Sequence, residues 1–192
     1  MTGTWASGFV TGDIVTAAEY KKSAGALFDS TLGGSAANID ATSILGTYAH
    51  LLISFYGRGD TATLSLAALL RFNNDSAANY DFQYVRGLAA TASAAESFAQ
   101  ATAQFGSIPG STAGANLFSA VQLFIPNYGG STNNKSFVAM CSSKSGTTTG
   151  SIEADVFAGH WRSNAAINRI TFLPGSGNFV AGTRLTIHAL GA

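Results

Sequence analysis

From Ile39 onward, hydrophobic and polar positions alternate with a period of two, the rhythm of a strand whose side chains point to opposite faces in turn. In HLLISFYGR, Leu51, Ile53 and Phe55 fall on one face and His50, Leu52, Ser54 and Tyr56 on the other. In IEADVFAGHW, Ile152, Ala154 and Val156 alternate with Glu153, Asp155 and Phe157; in TRLTIHAL, Leu185 and Ile187 alternate with Arg184, Thr186 and His188. These patterns predict antiparallel strands with one wet face. Further strands are expected at 64–72, 80–86, 117–125, 136–142 and 166–173, and Gly, Asn, Ser or Pro separates almost every pair. About eight strands with such turn signals predict an all-β fold, an antiparallel β-sandwich of the jelly-roll type, over 39–192.

Two stretches break the rhythm. Residues 88–106, LAATASAAESFAQATAQFG, are rich in alanine, and Ser93 with Glu96 mimics a capping box, so helix competes with strand there. In its second half Ala99, Ala101, Ala103 and Phe105 alternate with Phe98, Gln100, Thr102 and Gln104, which favours a strand. Nearer the start, Thr16 and Glu19 have capping-box spacing, and Tyr20, Ala24, Leu27 and Phe28 fall near one helical face. A short helix over 17–28 is expected within an N-terminal arm, residues 1–38. A narrow apolar stripe cannot bury itself, so the arm is a candidate anchor, with packing on its own sheet as the alternative.

Composition narrows the function classes. The chain has 192 residues, 46% hydrophobic and only 10% charged, with ten acidic residues balancing ten basic ones. Zero net charge leaves no electrostatic footprint for nucleic acid. So few charges imply a surface of Ser, Thr, Asn and Gly, or one hidden against other copies. Cys141, the single cysteine, rules out an intrachain disulfide and a multi-cysteine zinc site. The start, MTGTWASGFVTGD, lacks the basic and apolar regions of a signal peptide, and no stretch approaches a membrane span, so the expectation is a chain made in a cytoplasm with no membrane insertion.

Candidate chemistry is sparse. His50, His160 and His188 each stand alone on an expected strand, with no metal-ligand spacing. No Gly-x-Ser-x-Gly elbow accompanies the serines. Glu153 and Asp155 share a strand face but carry no other mark of a glycosidase pair. RFNNDSAANYDFQY holds Asn73, Asn74, Asp75, Asn79 and Asp81 between two expected strands; turn formation accounts for them, and a calcium site through Asp75 and Asp81 is the sharper alternative. No enzyme activity, catalytic residue, metal or cofactor is expected.

The segment ASGFVTGDIVTAAEYKKSAGALFDSTLGG resembles the N-terminal segments of small bacteriophage virion proteins, in which a Trp-rich start precedes a short helix. LLISFYGRGD, LLRFNNDSAANYDFQYVRG, FIPNYGGSTNNKSF and GHWRSNAAINRITFLPGSGNFVAGTRLTIHALG resemble the jelly-roll domains of phage head-decoration, head-fibre and tail-fibre proteins. The resemblance implies a symmetric, trimeric component of the virion exterior, whose partners are itself, other capsid or tail proteins, and a host-surface glycan. Trp5, Thr16, Glu19, Tyr20, Leu27 and Phe28 are then the candidate particle-anchoring residues. The competing class is a carbohydrate-binding or carbohydrate-degrading sandwich, with Tyr80, Tyr84, Tyr128 and Trp161 as candidate exposed aromatic contacts, for each of which core or interface packing is the commoner role.

Overall fold

A computed structural model describes residues 26–146 and 152–191. Within them the strands are β1 (Ala26–Thr31), β2 (Ile39–Ala41), β3 (His50–Gly57), β4 (Ser65–Phe72), β5 (Tyr80–Leu88), β6 (Thr91–Gln100), β7 (Ala103–Pro109), β8 (Ser119–Pro126), β9 (Lys135–Lys144), β10 (Ile152–Trp161), β11 (Ile170–Pro174) and β12 (Arg184–Leu190). All pairings are antiparallel, in an eight-stranded sheet of order β1-β12-β3-β8-β9-β10-β5-β6 and a four-stranded sheet of order β2-β11-β4-β7. The described chain is all-β, and the two sheets face each other as a β-sandwich.

The period-two pattern builds the core. Leu51, Ile53 and Phe55 of β3 and Leu185 and Ile187 of β12 turn inward from the large sheet; Leu70 and Phe72 of β4, Phe105 and Ile108 of β7, and Ile170 and Phe172 of β11 meet them from the small one. Aromatic rings lock the layers together: Phe55 of the large sheet meets Phe105 of the small one edge-on at 5.4 Å, and within the small sheet Phe105 meets Phe172 in the same manner at 5.4 Å. Each such pair adds about 0.5–1.5 kcal/mol beyond the area it buries.

Three readings are corrected or, where helix and strand competed, decided. Ala26 to Phe28, expected to end a helix, lie in β1, where Phe28 pairs with Ile187 and Asp29 with Thr186 after a bulge between Ala26 and Phe28. Strand wins because the outer edge of β12 presents main-chain donors and acceptors that β1 satisfies, while Leu27 and Phe28 pack on the core. The rest of the expected helix lies outside the described residues. Thr91–Gln100, where alanine argued for helix, is strand β6, held in register by β5. The alternation continues into β7, but the chain turns at Ala101–Thr102, so Ala103 and Phe105 are buried while Ala99 is exposed. Ala99 has φ 53, and its amide donates to Asp81 Oδ1 at 2.8 Å.

The third change concerns β10. Its alternation is present, but its apolar residues face outward and its acids inward: Glu153, Asp155, Phe157 and Trp161 are buried, whereas Ile152 and Val156 are exposed. Strand pairing explains the inversion. Large Phe157 and Trp161 share parity with the two acids, and burying the two rings carries the carboxylates inside with them.

Candidate functional site

The polar loop between β4 and β5 is a built turn. Asn73 and Asn74 have φ 51 and 60, left-handed values that asparagine tolerates better than most residues. The Asp75 amide donates to the Phe72 carbonyl at 2.9 Å. Asp75 Oδ1 accepts from the Ala77 amide at 2.9 Å, and its Oδ2 accepts from Asn79 Nδ2 at 2.9 Å and Trp161 Nε1 at 2.7 Å. Asn73 reaches across the sheet, accepting from the Asn168 amide at 2.9 Å and donating to the Ala166 carbonyl at 2.8 Å. Burial alone would raise the Asp75 carboxyl, but the donors from Asn79, Trp161 and Ala77 outweigh it and hold it below the ordinary carboxylate value. Asp81 Oδ1 is engaged by Ala99, and its Oδ2 lies 3.5 Å from Arg162 Nε. Both carboxylates face donors rather than an open oxygen cage, so the loop is a turn that staples β10 to β4. Among the described residues, no three His, Cys, Asp or Glu side chains gather as a metal-ligand set.

The aromatic residues expected to be exposed contacts divide differently. Tyr80 and Tyr128 are fully buried and Trp161 nearly so. The Tyr80 hydroxyl accepts from the Phe72 amide at 2.9 Å and donates to the Asp75 carbonyl at 3.2 Å, and its ring stacks on Trp161 at 6.3 Å. Tyr128 donates to the Leu45 carbonyl. Their polar atoms are satisfied inside the sandwich, so these three rings are core and cannot hold a ligand at the surface. Tyr84 is half-buried against Phe157, with the Arg86 guanidinium 4.8 Å from its ring centre. Of the candidate anchoring residues, Leu27 and Phe28 pack on the core, while Trp5, Thr16, Glu19 and Tyr20 lie outside the described residues.

Strand register assembles a polar cluster that the sequence showed only as two acids on one face. Glu153 stands opposite Ser143, and Asp155 opposite both Cys141 and Arg86. Arg86 donates through Nε to Asp155 Oδ1 at 3.2 Å and through Nη2 to Ser107 Oγ at 2.8 Å; Ser107 in turn donates to Asp155 Oδ2 at 3.0 Å. Arg86 Nε also lies 2.8 Å from Glu153 Oε1, but its N–H is directed at Asp155, and Glu153 Oε1 and Ser143 Oγ have no hydrogen-bond partner. Two buried carboxylates thus share one guanidinium. Burial pushes the Glu153 carboxyl above its ordinary value, and the adjacent Asp155 adds to the effect against the opposing pull of Ser107 and Arg86. Burial also pushes the Cys141 thiol up to about 12, so it is a packing residue and not a thiolate nucleophile. Glu153 and Asp155 are 1% and 3% exposed, too enclosed to meet a sugar chain.

The outer face of the eight-stranded sheet is the remaining large surface, and it has two halves. Across β5, β6, β9 and β10 it carries Val85, Phe98, Val138, Met140, Ile152 and Val156, each 44–64% exposed. Val85, Val156 and Met140 follow one another in register on adjacent strands. Asp81, Glu96 and Lys144 are the charged residues at outward positions of these four strands. Across β1, β12, β3 and β8 the same face hollows into an open groove of about 970 Å³, lined by residues including Tyr56, Ser54, Gln122, Arg184 and Thr186 and reaching Met140. His50, on β3, accepts from the Asn127 amide at 3.2 Å through Nδ1, a structural contact. Comparison of the chain with protein-family models, with curated proteins and with solved structures finds no match to any of them.

Proposed function

We propose that this chain is a non-enzymatic structural protein of a bacteriophage particle, a jelly-roll module that assembles as a homotrimer on the exterior as a head-decoration or fibre component. The observation that carries the reading is the apolar half of the outer sheet face, where Val85, Phe98, Val138, Met140, Ile152 and Val156 stand in solvent on four neighbouring strands. An isolated soluble chain has no use for so wide an apolar patch; a subunit interface has. Strand β6 supports the same reading. It is a sheet edge of ten residues, exposed on nearly every position, with Glu96 as its one charge and no proline to block pairing. The resemblance of the quoted segments to phage virion proteins supplies the particle; among the described residues the carboxylates of Asp75 and Asp81 face protein donors and those of Glu153 and Asp155 are enclosed.

Light scattering on the full chain tests this. The expected mass is three chains, falling to one in the double variant Val138→Lys, Val156→Lys, with the β signal in circular dichroism retained because both side chains point to solvent. A parent that is monomeric at micromolar concentration overturns the assembly reading. So does a double variant that stays trimeric.

A further inference from the structure

The groove on the other half of the outer face shares Met140 with the apolar patch beside it and is itself mostly apolar in lining, but it adds polar side chains that the patch lacks. Strand register lays its side chains in rows. Arg184 of β12, Tyr56 of β3, Ala120 of β8 and Ser142 of β9 are successive partners in one row. Asp29 of β1, Thr186, Ser54, Gln122 and Met140 are successive partners in the next. Hydroxyl, amide, guanidinium and carboxylate groups therefore alternate with an aromatic ring and a thioether across five strands, all facing the same hollow.

Three features narrow the ligand. Tyr56 is 48% exposed although one side of its ring is stacked on Phe118 at 4.8 Å and 10°, so it forms a braced aromatic platform open on its other side. The charges in the groove cancel: Arg184 grips Asp29 in a two-pronged pair at 3.2 and 3.1 Å, and Thr186 donates to the same carboxylate at 3.1 Å. A neutral groove offers nothing to a phosphate or an acidic peptide. Its volume of about 970 Å³ and its open shape suit several linked rings rather than one enclosed small molecule.

We propose that this groove binds a neutral oligosaccharide, with one sugar ring stacked on Tyr56 and the sugar hydroxyls bonded to Gln122, Ser54 and the Arg184–Asp29 pair. A sugar ring has an apolar C–H face and a rim of hydroxyls, and each demand has its counterpart here.

The test uses the full chain on an array of immobilised neutral and acidic glycans, followed by calorimetry with the strongest soluble binder. Expected are binding to neutral glycans, about tenfold weaker binding in Tyr56→Ala, the equivalent of one stacking contact, retention in Tyr56→Phe, and weakening in Gln122→Ala, all with unchanged melting temperature. The proposal fails if no neutral glycan binds at concentrations up to about 1 mM, if only acidic glycans bind, or if both alanine variants bind like the parent. A fall in molar mass on Tyr56→Ala, with no glycan bound by the parent, also overturns it and marks the groove as an interface between copies.

Discussion

Asp75 is a carboxylate tied to β10 through Trp161 and Glu153 is one that β10 itself carries, and their surroundings drive them in opposite directions. Asp75 is half-buried and accepts three hydrogen bonds, from Ala77, Asn79 and Trp161. Glu153 is almost wholly buried, with Oε1 unbonded and the Ser143 hydroxyl opposite it unbonded too. The first carboxyl is held below its ordinary value and the second above it. Depth and donor supply together separate them: burial leads at Glu153, where the nearby guanidinium is directed at Asp155, while at the shallower Asp75 three donors outweigh desolvation. A carboxylate in the Asp75 setting is a structural tie; one in the Glu153 setting shares a single cation with a second buried acid, a crowding that a proton relieves.

The largest effect is expected from withdrawing the shared cation. Arg86→Met leaves Glu153 and Asp155 buried with no positive partner and should cost about 3–5 kcal/mol, read as a lower denaturant midpoint. Adding Glu153→Gln to that variant should recover part of the loss; failure to recover any would mean that the two acids do not compete for Arg86.

A smaller loss is expected at the turn. Asp75→Ala strands the Trp161 indole N–H and the Asn79 amide and should cost about 2 kcal/mol, while Asp75→Asn, which keeps an acceptor, should cost less. The parent should melt at the same temperature in excess calcium as in excess chelator, because the carboxylate oxygens of Asp75 and Asp81 already face protein donors. A calcium-dependent rise that disappears in Asp75→Asn would make this loop a binding site.

The smallest effect is a difference in pH dependence. The folded-state value of Glu153 is raised, so its stabilising contribution is complete below the unfolded carboxylate value and is lost as pH rises through the folded one. Asp75 behaves in the opposite sense: its contribution is present above the unfolded value and is lost as pH falls through the lowered folded one. Glu153→Gln should therefore change stability little in acid and gain on the parent as pH climbs towards neutrality, whereas Asp75→Asn should lose least against the parent in acid. Parallel melting curves for parent and Glu153→Gln across this range would contradict the assigned difference.

Local information was enough for most strands. The inward set Leu51, Ile53 and Phe55 of β3 and the pair Leu185 and Ile187 of β12 are legible because a half-buried strand writes its burial as a period of two, and the loop Asn73 to Asp81 is legible as a turn because asparagine and aspartate bond their own main chain. What tertiary structure alone decided has one physical cause, the choice of neighbours. Leu27 and Phe28 have helical spacing, yet the free edge of β12 draws them into β1. The alanines of β6 favour helix until β5 supplies a ladder of partners. On β10, side-chain hydropathy points one way and register the other, because Phe157 and Trp161 share parity with Glu153 and Asp155, and the two rings settle which face goes inside. Tyr80, Tyr128 and Trp161 stay open in the sequence between core and exposed contact, because nothing local reveals that the Phe72 amide, the Asp75 and Leu45 carbonyls and the Asp75 carboxylate would satisfy their polar atoms in the interior. Tyr56, which does stand in solvent, was hidden within an alternation that marked only its face, since the pattern does not say which of the two faces of β3 the small sheet covers.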